Sequence, residues 1–516
     1  MKKYISLFVI IGLVIAVNIF SVFASYRMDF TEGKIYTLSQ STKEIIKNLP
    51  DNIEVQVFMS KNLPPQAAIV RQQLEDKLAD YQAIAGNKLQ VTYQDPANND
   101  ALINRMRYLG IPELQLQVIE KDQRQVVRAY MGLAVLKTQE ASPEDLEQNP
   151  IADVENFTAL PVIQNLDSFE YDMTSALLKM SSSAEKVVGF LVGHGEHAPY
   201  VENRFNSESN PRADYDIKDT LAKTYATQEV DLINDPESIA EVNTLIIAGP
   251  QENITDEEAS IIHNFVNNGG NMIVMIDTVN AGQGLLPSAV EANFDNLLSP
   301  YGVGLDTSVI ADASHESASF SQGFFTISLP YPFWVKADKN QLNSDNSITS
   351  QIESLTLPWA TPIHTIEKKE HMTSLVTSSS QYQIISENID LNPQQDFALT
   401  GNPQTPVDLA VLIENDKQGK VIVIGDSDFA SMNFSGIFPG NTLFFQNLVD
   451  GVTLGDALIN IRSKGVTDRP LSKNITEVTK NFIRWGNIIF IPLLFVGYGL
   501  LRKFLRNTRK KAAHIS

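Results

Sequence analysis

The polar residues best suited to chemistry follow short apolar runs that resemble buried strands. They are Gly193, His194, Gly195, Glu196 and His197 after one run, Asp277 after a second, and Asp426, Ser427 and Asp428 after a third. Imidazole and carboxylate groups can bind a metal ion or exchange protons. Because the carboxyl ends of parallel strands share one rim, where ligands usually bind, the pattern predicts a rim that contacts a ligand or a partner.

A metal-dependent hydrolase is the sharpest enzymatic hypothesis for this rim. Its ligands would be His194, Glu196 and His197, completed by Asp426 or Asp428. Zinc or manganese accepts such ligands, but this spacing differs from two histidines one helical turn apart. Glycine and aspartate are also common in tight turns and helix caps, without any catalytic role. We therefore predict turn formation and partner contacts, with no catalytic residue, metal or cofactor.

Other catalytic templates are absent from the sequence. The chain has no cysteine, which excludes disulfides, thiolate metal sites and cysteine nucleophiles. It has no G-x-S-x-G elbow, and Gly419-Lys420 is followed by Val421 and not by Ser or Thr, so it has no phosphate-binding P-loop. The net charge of −21 argues against nucleic acid as a partner.

The distribution of charge predicts two membrane anchors. Residues 5–24 and 485–501 are uncharged and largely apolar, and all 61 acidic residues lie between positions 25 and 484. Eight of the 40 basic residues lie in the two tails. About 20 apolar residues span a bilayer as a helix, and basic flanks favour the cytoplasmic side. We expect both termini in the cytoplasm and residues 25–484 outside it, in the periplasm of an inner-membrane protein.

Two alternatives remain open for these apolar segments. The first could be a signal peptide cleaved after Val22-Phe23-Ala24, although its apolar stretch is longer than usual. The second could be a core helix, although six basic residues follow it.

The elements between the anchors predict two α/β domains. After an anchor at 1–25, residues 26–182 alternate strand and helix patterns in the order β-α-β-α-β-β, with strands expected at 53–60, 89–95, 114–119 and 129–136 and a turn at 121–125. This order, with Gly110-Ile111-Pro112 before the next-to-last strand, resembles the thioredoxin fold. Where that family places its redox cysteines, this chain has residues 61–65 (KNLPP), so dithiol exchange is impossible.

The second domain is predicted at 183–455. Continuous apolar strands at 187–193, 244–250 and 272–277 are typical of a buried parallel sheet, and strands at 409–414 and 420–426 are expected to form a closing hairpin or to be neighbours. Residues 281–400 are expected to form a folded insertion. A juxtamembrane segment (456–484), a second membrane helix (485–505) and a basic cytoplasmic tail (506–516) complete the predicted organisation.

An ordered set of motifs resembles the GldG-like family of ABC transporter auxiliary components, which includes a gliding-motility protein. The motifs are RMDFTEGKIYTLSQSTKEIIKNL, GHGE, LIIAGP followed by TDEEASIIHNFVNNGGNMIVMID, VIVIGDSDFAS, and IRSKGVTDRPLS. The resemblance implies an integral inner-membrane protein acting beside a separate ATPase and permease. It also implies a flavodoxin-like or class-I glutamine-amidotransferase-like second domain, without that fold's cysteine nucleophile.

Three functional hypotheses follow. The first is a non-enzymatic auxiliary subunit whose partners are an ABC permease, an ATP-binding subunit and the lipid bilayer. The second is the membrane-anchored metal-dependent hydrolase. The third is a module that binds envelope glycans or peptides through the rim and through Trp334 and Trp359 in the insertion.

Overall fold

The computed structural model covers the chain with gaps. It describes residues 37–50, 52–97, 99–120, 123–139, 141–181, 186–198, 215, 217–222, 224–322, 325–367, 371–395, 397, 399, 402–414, 419–455, 458–459, 461, 477–490, 493, 496–499 and 502. The first predicted membrane segment, 5–24, lies outside the described residues, as do the serines at 182–183 and nearly all of the basic tail.

The first part of the chain forms an α/β layer. Its elements are α1 (Gln40–Lys47), β1 (Ile53–Met59), α2 (Pro65–Ala85), β2 (Leu89–Gln94), α3 (Asp100–Tyr108), β3 (Leu114–Glu120), β4 (Gln123–Ala129), β5 (Met131–Thr138), α4 (Pro143–Gln148), β6 (Val154–Leu160) and α5 (Phe169–Ser181).

Four of these strands form a mixed sheet in the order β2-β1-β5-β6. The β1–β2 pair is parallel, whereas β5 is antiparallel to both of its neighbours. Val55 and Val57 of β1 are fully buried together with Leu74 and Leu78 of α2. The alternation of apolar and polar residues in the sequence therefore predicted the central strand correctly.

Strands β3 and β4 form a separate two-stranded sheet. The sequence predicted β3 but assigned residues 121–125 to a turn, so β4 was missed. Its sequence, QRQVVRA, is mostly polar and lacks the apolar run of a core strand. Strand β6 (VENFTAL) is mostly exposed or half-buried and was missed for the same reason.

A buried carboxylate connects the first helix to this layer. Glu170 Oε1 accepts hydrogen bonds from the Ser39 backbone N–H (2.6 Å) and the Thr42 hydroxyl (2.8 Å). Ser39 is the N-cap of α1, and its hydroxyl oxygen accepts a hydrogen bond from Thr42 N. Because the carboxylate is 6% exposed, its hydrogen bonds offset the cost of burying it.

The second part is larger and is built around a parallel sheet. Its elements are β7 (Val187–Leu191), α6 (Lys218–Ala222), β8 (Ala226–Val230), β9 (Thr244–Ala248), α7 (Asp256–Asn267), β10 (Asn271–Met275), β11 (Val279–Ala281), β12 (Pro287–Ala289), α8 (Asp295–Leu298), β13 (Val303–Leu305), β14 (Val309–Asp312), β15 (His315–Gln322), β16 (Phe325–Asp338), α9 (Ser347–Ser350), β17 (Ser354–Pro358), β18 (Ile363–Thr365), β19 (Met372–Thr377), β20 (Tyr382–Ile385), β21 (Asp408–Ile413), β22 (Val421–Ile424), α10 (Met432–Ser435) and α11 (Pro439–Thr453).

Nine strands form its main sheet. The order is β13-β18-β21-β22-β10-β9-β7-β8, and β19 also pairs with β21. The pairs from β8 to β22 are parallel, and β21 is antiparallel to β22, as expected for neighbouring strands. Leu245 and Ile247 pack on one face with α7, whereas Ile246 packs on the other with Phe444 of α11. Helices therefore cover both faces, which explains the continuous apolar runs.

Residues 281–400 are folded, as the apolar segments in the sequence indicated. Strands β15, β16 and β17 form an antiparallel sheet, and β14 pairs with β20. The region is not a separate insertion throughout, because β13, β18 and β19 join the main sheet.

Asp450 of α11 connects the two parts. Its Oδ2 accepts a hydrogen bond from the Tyr171 hydroxyl of α5 at 3.2 Å, and its Oδ1 accepts one from the Tyr225 hydroxyl at 2.5 Å. The carboxylate is 1% exposed, so both bonds are shielded from water.

Residues 467–516 form a second compact unit, separate from residues 1–466. Its described elements are α12 (Glu477–Trp485) and a π-helical turn, Gly486–Phe490. Within the part of the chain that the structure describes, no helix has the length and apolar composition needed to cross a membrane. That part includes only some residues of the second predicted membrane segment.

We predict that Gly425→Ala destabilises the main sheet by about 2 kcal/mol or more. Gly425 follows β22, and an added Cβ would overlap the backbone oxygen of Thr361, which cannot move as a flexible side chain could. The free energy of unfolding can be measured by chemical denaturation. Gly436→Ala is the control, since its Cβ would meet nothing closer than Met432 O at 3.5 Å. Equal stability of the two variants would contradict this account.

Candidate functional site

The parallel strands bring the predicted rim together at their carboxyl ends. The loop after β7 turns at Gly193 (φ 116°) and Gly195 (φ 78°), and side chains rarely tolerate these backbone angles. His194 O then accepts a hydrogen bond from Gln251 N at 2.7 Å, and His197 N donates one to Ala248 O at 2.8 Å. The loop after β7 is therefore fastened to the end of β9.

The first cluster on this rim places a histidine between two carboxylates. His194 Nδ1 lies 3.1 Å from Glu196 Oε1, and His194 Nε2 lies 3.2 Å from Glu258 Oε1. Glu196 Oε2 also accepts a hydrogen bond from His194 N at 2.8 Å. All three side chains are at most 7% exposed, so the cluster is shielded from water.

The carboxylates favour a positive charge on His194. Its pKa is raised by the hydrogen bond to Glu196, against the opposing effect of burial, with Glu258 contributing further. Burial raises the pKa of Glu258, but hydrogen bonds from Thr255 and the charge of His194 lower it by more. Both ring nitrogens of His194 therefore face carboxylates, which leaves it poorly placed to ligate a metal.

The second cluster is centred on Ser427, which is fully buried. Its backbone N–H donates to Asp277 Oδ1 at 2.7 Å, and its hydroxyl donates a short hydrogen bond to Asp277 Oδ2. His197 Nε2 lies 3.0 Å from Ser427 Oγ, and the ring of His197 stacks on Tyr215 with centroids 5.0 Å apart. The Tyr215 hydroxyl donates to Ser427 O at 2.8 Å.

This arrangement does not prepare Ser427 as a nucleophile. A serine hydroxyl has one proton, and here Asp277 accepts it. His197 Nε2 must then donate to Ser427 Oγ, whereas a catalytic histidine accepts the proton of its serine. The cluster contains the residue types of a hydrolase triad, but here the serine lies between the aspartate and the histidine. In a hydrolase triad the histidine has that middle position.

Three aspartates meet beside Ser427. Asp277, Asp426 and Asp428 each place one carboxylate oxygen within 4.8 Å of the others, and they are the group among the described residues that could hold a metal ion. Asp426 Oδ1 accepts a hydrogen bond from Asp428 N at 2.8 Å. Burial raises the pKa of Asp426, and the charges of Asp277 and Asp428 raise it further.

The structure thus divides the predicted rim residues between two clusters. His194 and Glu196 belong to the first, and Asp277, Asp426 and Asp428 belong to the second, which also receives His197. The hypothetical ligand set of His194, Glu196 and His197 does not assemble. Glu258 and Tyr215 were missed, since the sequence carries no signal that places them at this rim, whereas Ser427 was expected among the strand-end polar residues.

Trp334 and Trp359 lie in an aromatic cluster and not on an open surface. Their ring centroids are 6.3 Å apart, and Phe434 packs edge-to-face against both. Trp359 Nε1 donates to the Tyr331 hydroxyl at 3.1 Å. This packing is typical of core and gives no support to a glycan-binding surface at these residues.

Comparison with known families identifies two matching regions. The family described as ABC-type uncharacterized transport system matches residues 185–450, just over half of the chain. A domain family of unknown function matches residues 32–136. An uncharacterized protein of Borreliella burgdorferi is 23% identical over 95% of this chain and 94% of its own length.

Solved structures resemble the chain weakly. The mmIFT52 N-terminal domain is 15% identical, with a TM-score of 0.36 over 52% of this chain and 99% of its own. A ThuA-like protein from Bacteroides uniformis is 13% identical, with a TM-score of 0.30 over 54% of this chain and 97% of its own. Likenesses this distant carry no argument about function.

We predict that His194→Gln lowers the free energy of unfolding by about 2 kcal/mol near pH 6, since it removes buried charge-assisted hydrogen bonds. Because the folded-state pKa of His194 is raised, its stabilising contribution is complete below the unfolded pKa of about 6.5. The contribution is lost as the pH rises through the folded pKa. The difference between wild type and variant should therefore shrink with increasing pH, as measured by denaturation across the range.

His364→Gln provides the control for this titration. His364 lies 3.3 Å from Asp306, but the two side chains are 47% and 83% exposed. An exposed pair contributes little to stability, so this variant should follow the wild-type profile. A constant difference between wild type and His194→Gln at every pH would show that His194 is not charged in its cluster.

Proposed function

The chain belongs to the ABC-type uncharacterized transport system family, and we propose that it is a non-catalytic auxiliary subunit working with a separate ATPase and a separate permease. The family match over residues 185–450 carries this proposal. The motifs quoted from the sequence further suggest the GldG-like branch of such components, in an exporter or a motility-type system.

A separate ATPase is proposed because this chain lacks a nucleotide-binding loop. Phosphate-binding loops follow a strand and lead into a helix. Gly419 and Lys420 instead precede β22, and Lys420 Nζ pairs with Glu414 at 2.8 Å. The buried positions of Ser427 and of the His194 cluster support a structural role over hydrolysis.

The membrane anchors are proposed from the sequence and from exposed apolar side chains. The described residues of the second unit expose nine large apolar side chains: Val478, Phe482, Ile483, Trp485, Ile488, Ile489, Leu493, Val496 and Tyr498. Such a concentration favours contact with lipid or with a membrane partner. Together with the basic tails, it supports an inner-membrane protein with cytoplasmic termini and residues 25–484 in the periplasm.

The domain assignments are part of the same proposal. The order β2-β1-β5-β6, with β1 parallel to β2, supports a thioredoxin-like domain at 26–182 that lacks redox cysteines. The parallel sheet covered by helices on both faces supports a flavodoxin-like or class-I glutamine-amidotransferase-like domain at 183–455. The juxtamembrane segment (456–484), the second anchor (485–505) and the basic tail (506–516) would follow it.

We predict that the full-length tagged chain co-purifies with a polytopic permease and a P-loop ATPase after extraction in mild detergent. Mass spectrometry of the eluate identifies both partners. Gly497→Leu should reduce recovery of the permease by about tenfold, because small residues permit close packing of membrane helices. Leu493→Ile is the matched control. Recovery of the wild-type chain alone, under conditions that preserve other ABC transporters, would contradict the proposal.

We also predict that protease added to intact spheroplasts digests residues 25–484 and spares a tag at the C-terminus. The membrane shields a cytoplasmic tail, while an external domain is accessible. Immunoblotting of the tag measures protection, and permeabilised cells provide the control in which the tag is also lost. Cleavage of the tag while the acidic region stays intact would overturn the topology.

A further inference from the structure

The aspartate cluster at the ends of β10 and β22 concentrates negative charge in a nearly dry environment. Asp277 is 3% exposed and Asp426 is fully buried, while the side chain of Asp428 is 15% exposed. Their nearest carboxylate oxygens lie within 4.8 Å of one another. Like charges this close and this buried repel strongly unless a proton or a cation neutralises them.

One oxygen in the cluster has no partner. Asp426 Oδ1 accepts a hydrogen bond from Asp428 N, whereas Asp426 Oδ2 is buried and makes no hydrogen bond. A buried polar atom without a partner costs about 1–3 kcal/mol. This atom is an observation separate from the clustering of acidic residues, and it requires an explanation.

A proton alone explains this atom poorly. Protonation at Oδ2 would neutralise Asp426 alone and would leave the neighbouring carboxylates of Asp277 and Asp428 close together. A bound cation would neutralise charge and also satisfy Oδ2. His197 does not replace it, because His197 Nε2 lies 3.9 Å from Asp428 Oδ1 and is engaged with Ser427 Oγ at 3.0 Å.

We propose that Asp277, Asp426 and Asp428 bind one hard divalent cation of the Mg²⁺, Mn²⁺ or Ca²⁺ class. Such cations prefer carboxylate oxygens at about 2.1–2.5 Å, which places two ligand oxygens about 3–5 Å apart. The 4.8 Å limit that encloses the three oxygens fits this range. The cluster contains no thiolate and no free imidazole, so it does not favour soft metals.

The cation would hold three segments of the rim together. It would join Asp277, which follows β10, to the turn after β22. Ser427 extends this connection to His197 in the loop after β7. Asn441 of α11 donates to Phe429 O at 2.9 Å, which fixes the same turn from the helix side. The site would thus be structural, and it goes beyond the proposed transport role.

The test uses the full-length protein in detergent with Mn²⁺ as the probe. After chelation and then dialysis against Mn²⁺, elemental analysis should find about one ion per chain, and about 1 mM Mn²⁺ should raise the thermal midpoint by several degrees. Asp426→Asn should weaken Mn²⁺ binding by at least tenfold, because it removes the charge of the oxygen that lacks a partner. Glu252→Gln, an exposed acid near this rim, should bind as wild type does.

Asp428→Asn is the second variant, since its partly exposed side chain makes misfolding less of a concern than at Asp426. It should also weaken binding by about tenfold or more, with an unchanged circular dichroism spectrum. Failure of the wild-type chain to retain Mn²⁺, Mg²⁺ or Ca²⁺, with a midpoint indifferent to chelator, would overturn the proposal in favour of a protonated Asp426. Wild-type affinity in both aspartate variants, or preferential binding of Zn²⁺, would also overturn it.

Discussion

The close approach of buried carboxylates is the constraint on which the rim of the main sheet depends. Asp277 and Asp426 have little or no contact with water, yet the parallel sheet places them at adjacent strand ends. Nearby polar groups are organised around this charge. Ser427 donates its backbone N–H and its hydroxyl to Asp277, and Asp426 receives a backbone N–H from Asp428. Burying this charge is costly unless it is paired or neutralised.

The two clusters of this rim differ in the groups that lie next to their buried carboxylates. Around His194, two glutamates face the two ring nitrogens of one histidine, and the hydrogen bond to Glu196 raises the pKa of that histidine. Around Asp426, the chain supplies three carboxylates and leaves one oxygen without a donor. The buried serine and the enclosed histidines agree with a structural role for this rim.

The sequence predicted the buried strands and the convergence of their polar ends, because continuous apolar runs and glycine turns depend on local pattern. It could not predict which polar groups would pair. His194 and His197 are three residues apart, yet one contacts Glu258 of α7 and the other contacts Ser427 after β22. Such partners come from distant parts of the chain, so strand order decides them. Strands β4 and β6 were missed because polar or half-exposed strands carry no continuous apolar signal.

The hydrogen bonds of Asp450 limit how far the two α/β parts of the chain can move relative to each other. Its carboxylate is bonded at once to a tyrosine of the first domain and to Tyr225 of the second, in a position that water does not reach. Because both hydrogen bonds share one buried carboxylate, a displacement of α5 relative to α11 would have to break one of them. The two parts would then respond as one body, which agrees with the single compact unit formed by residues 1–466.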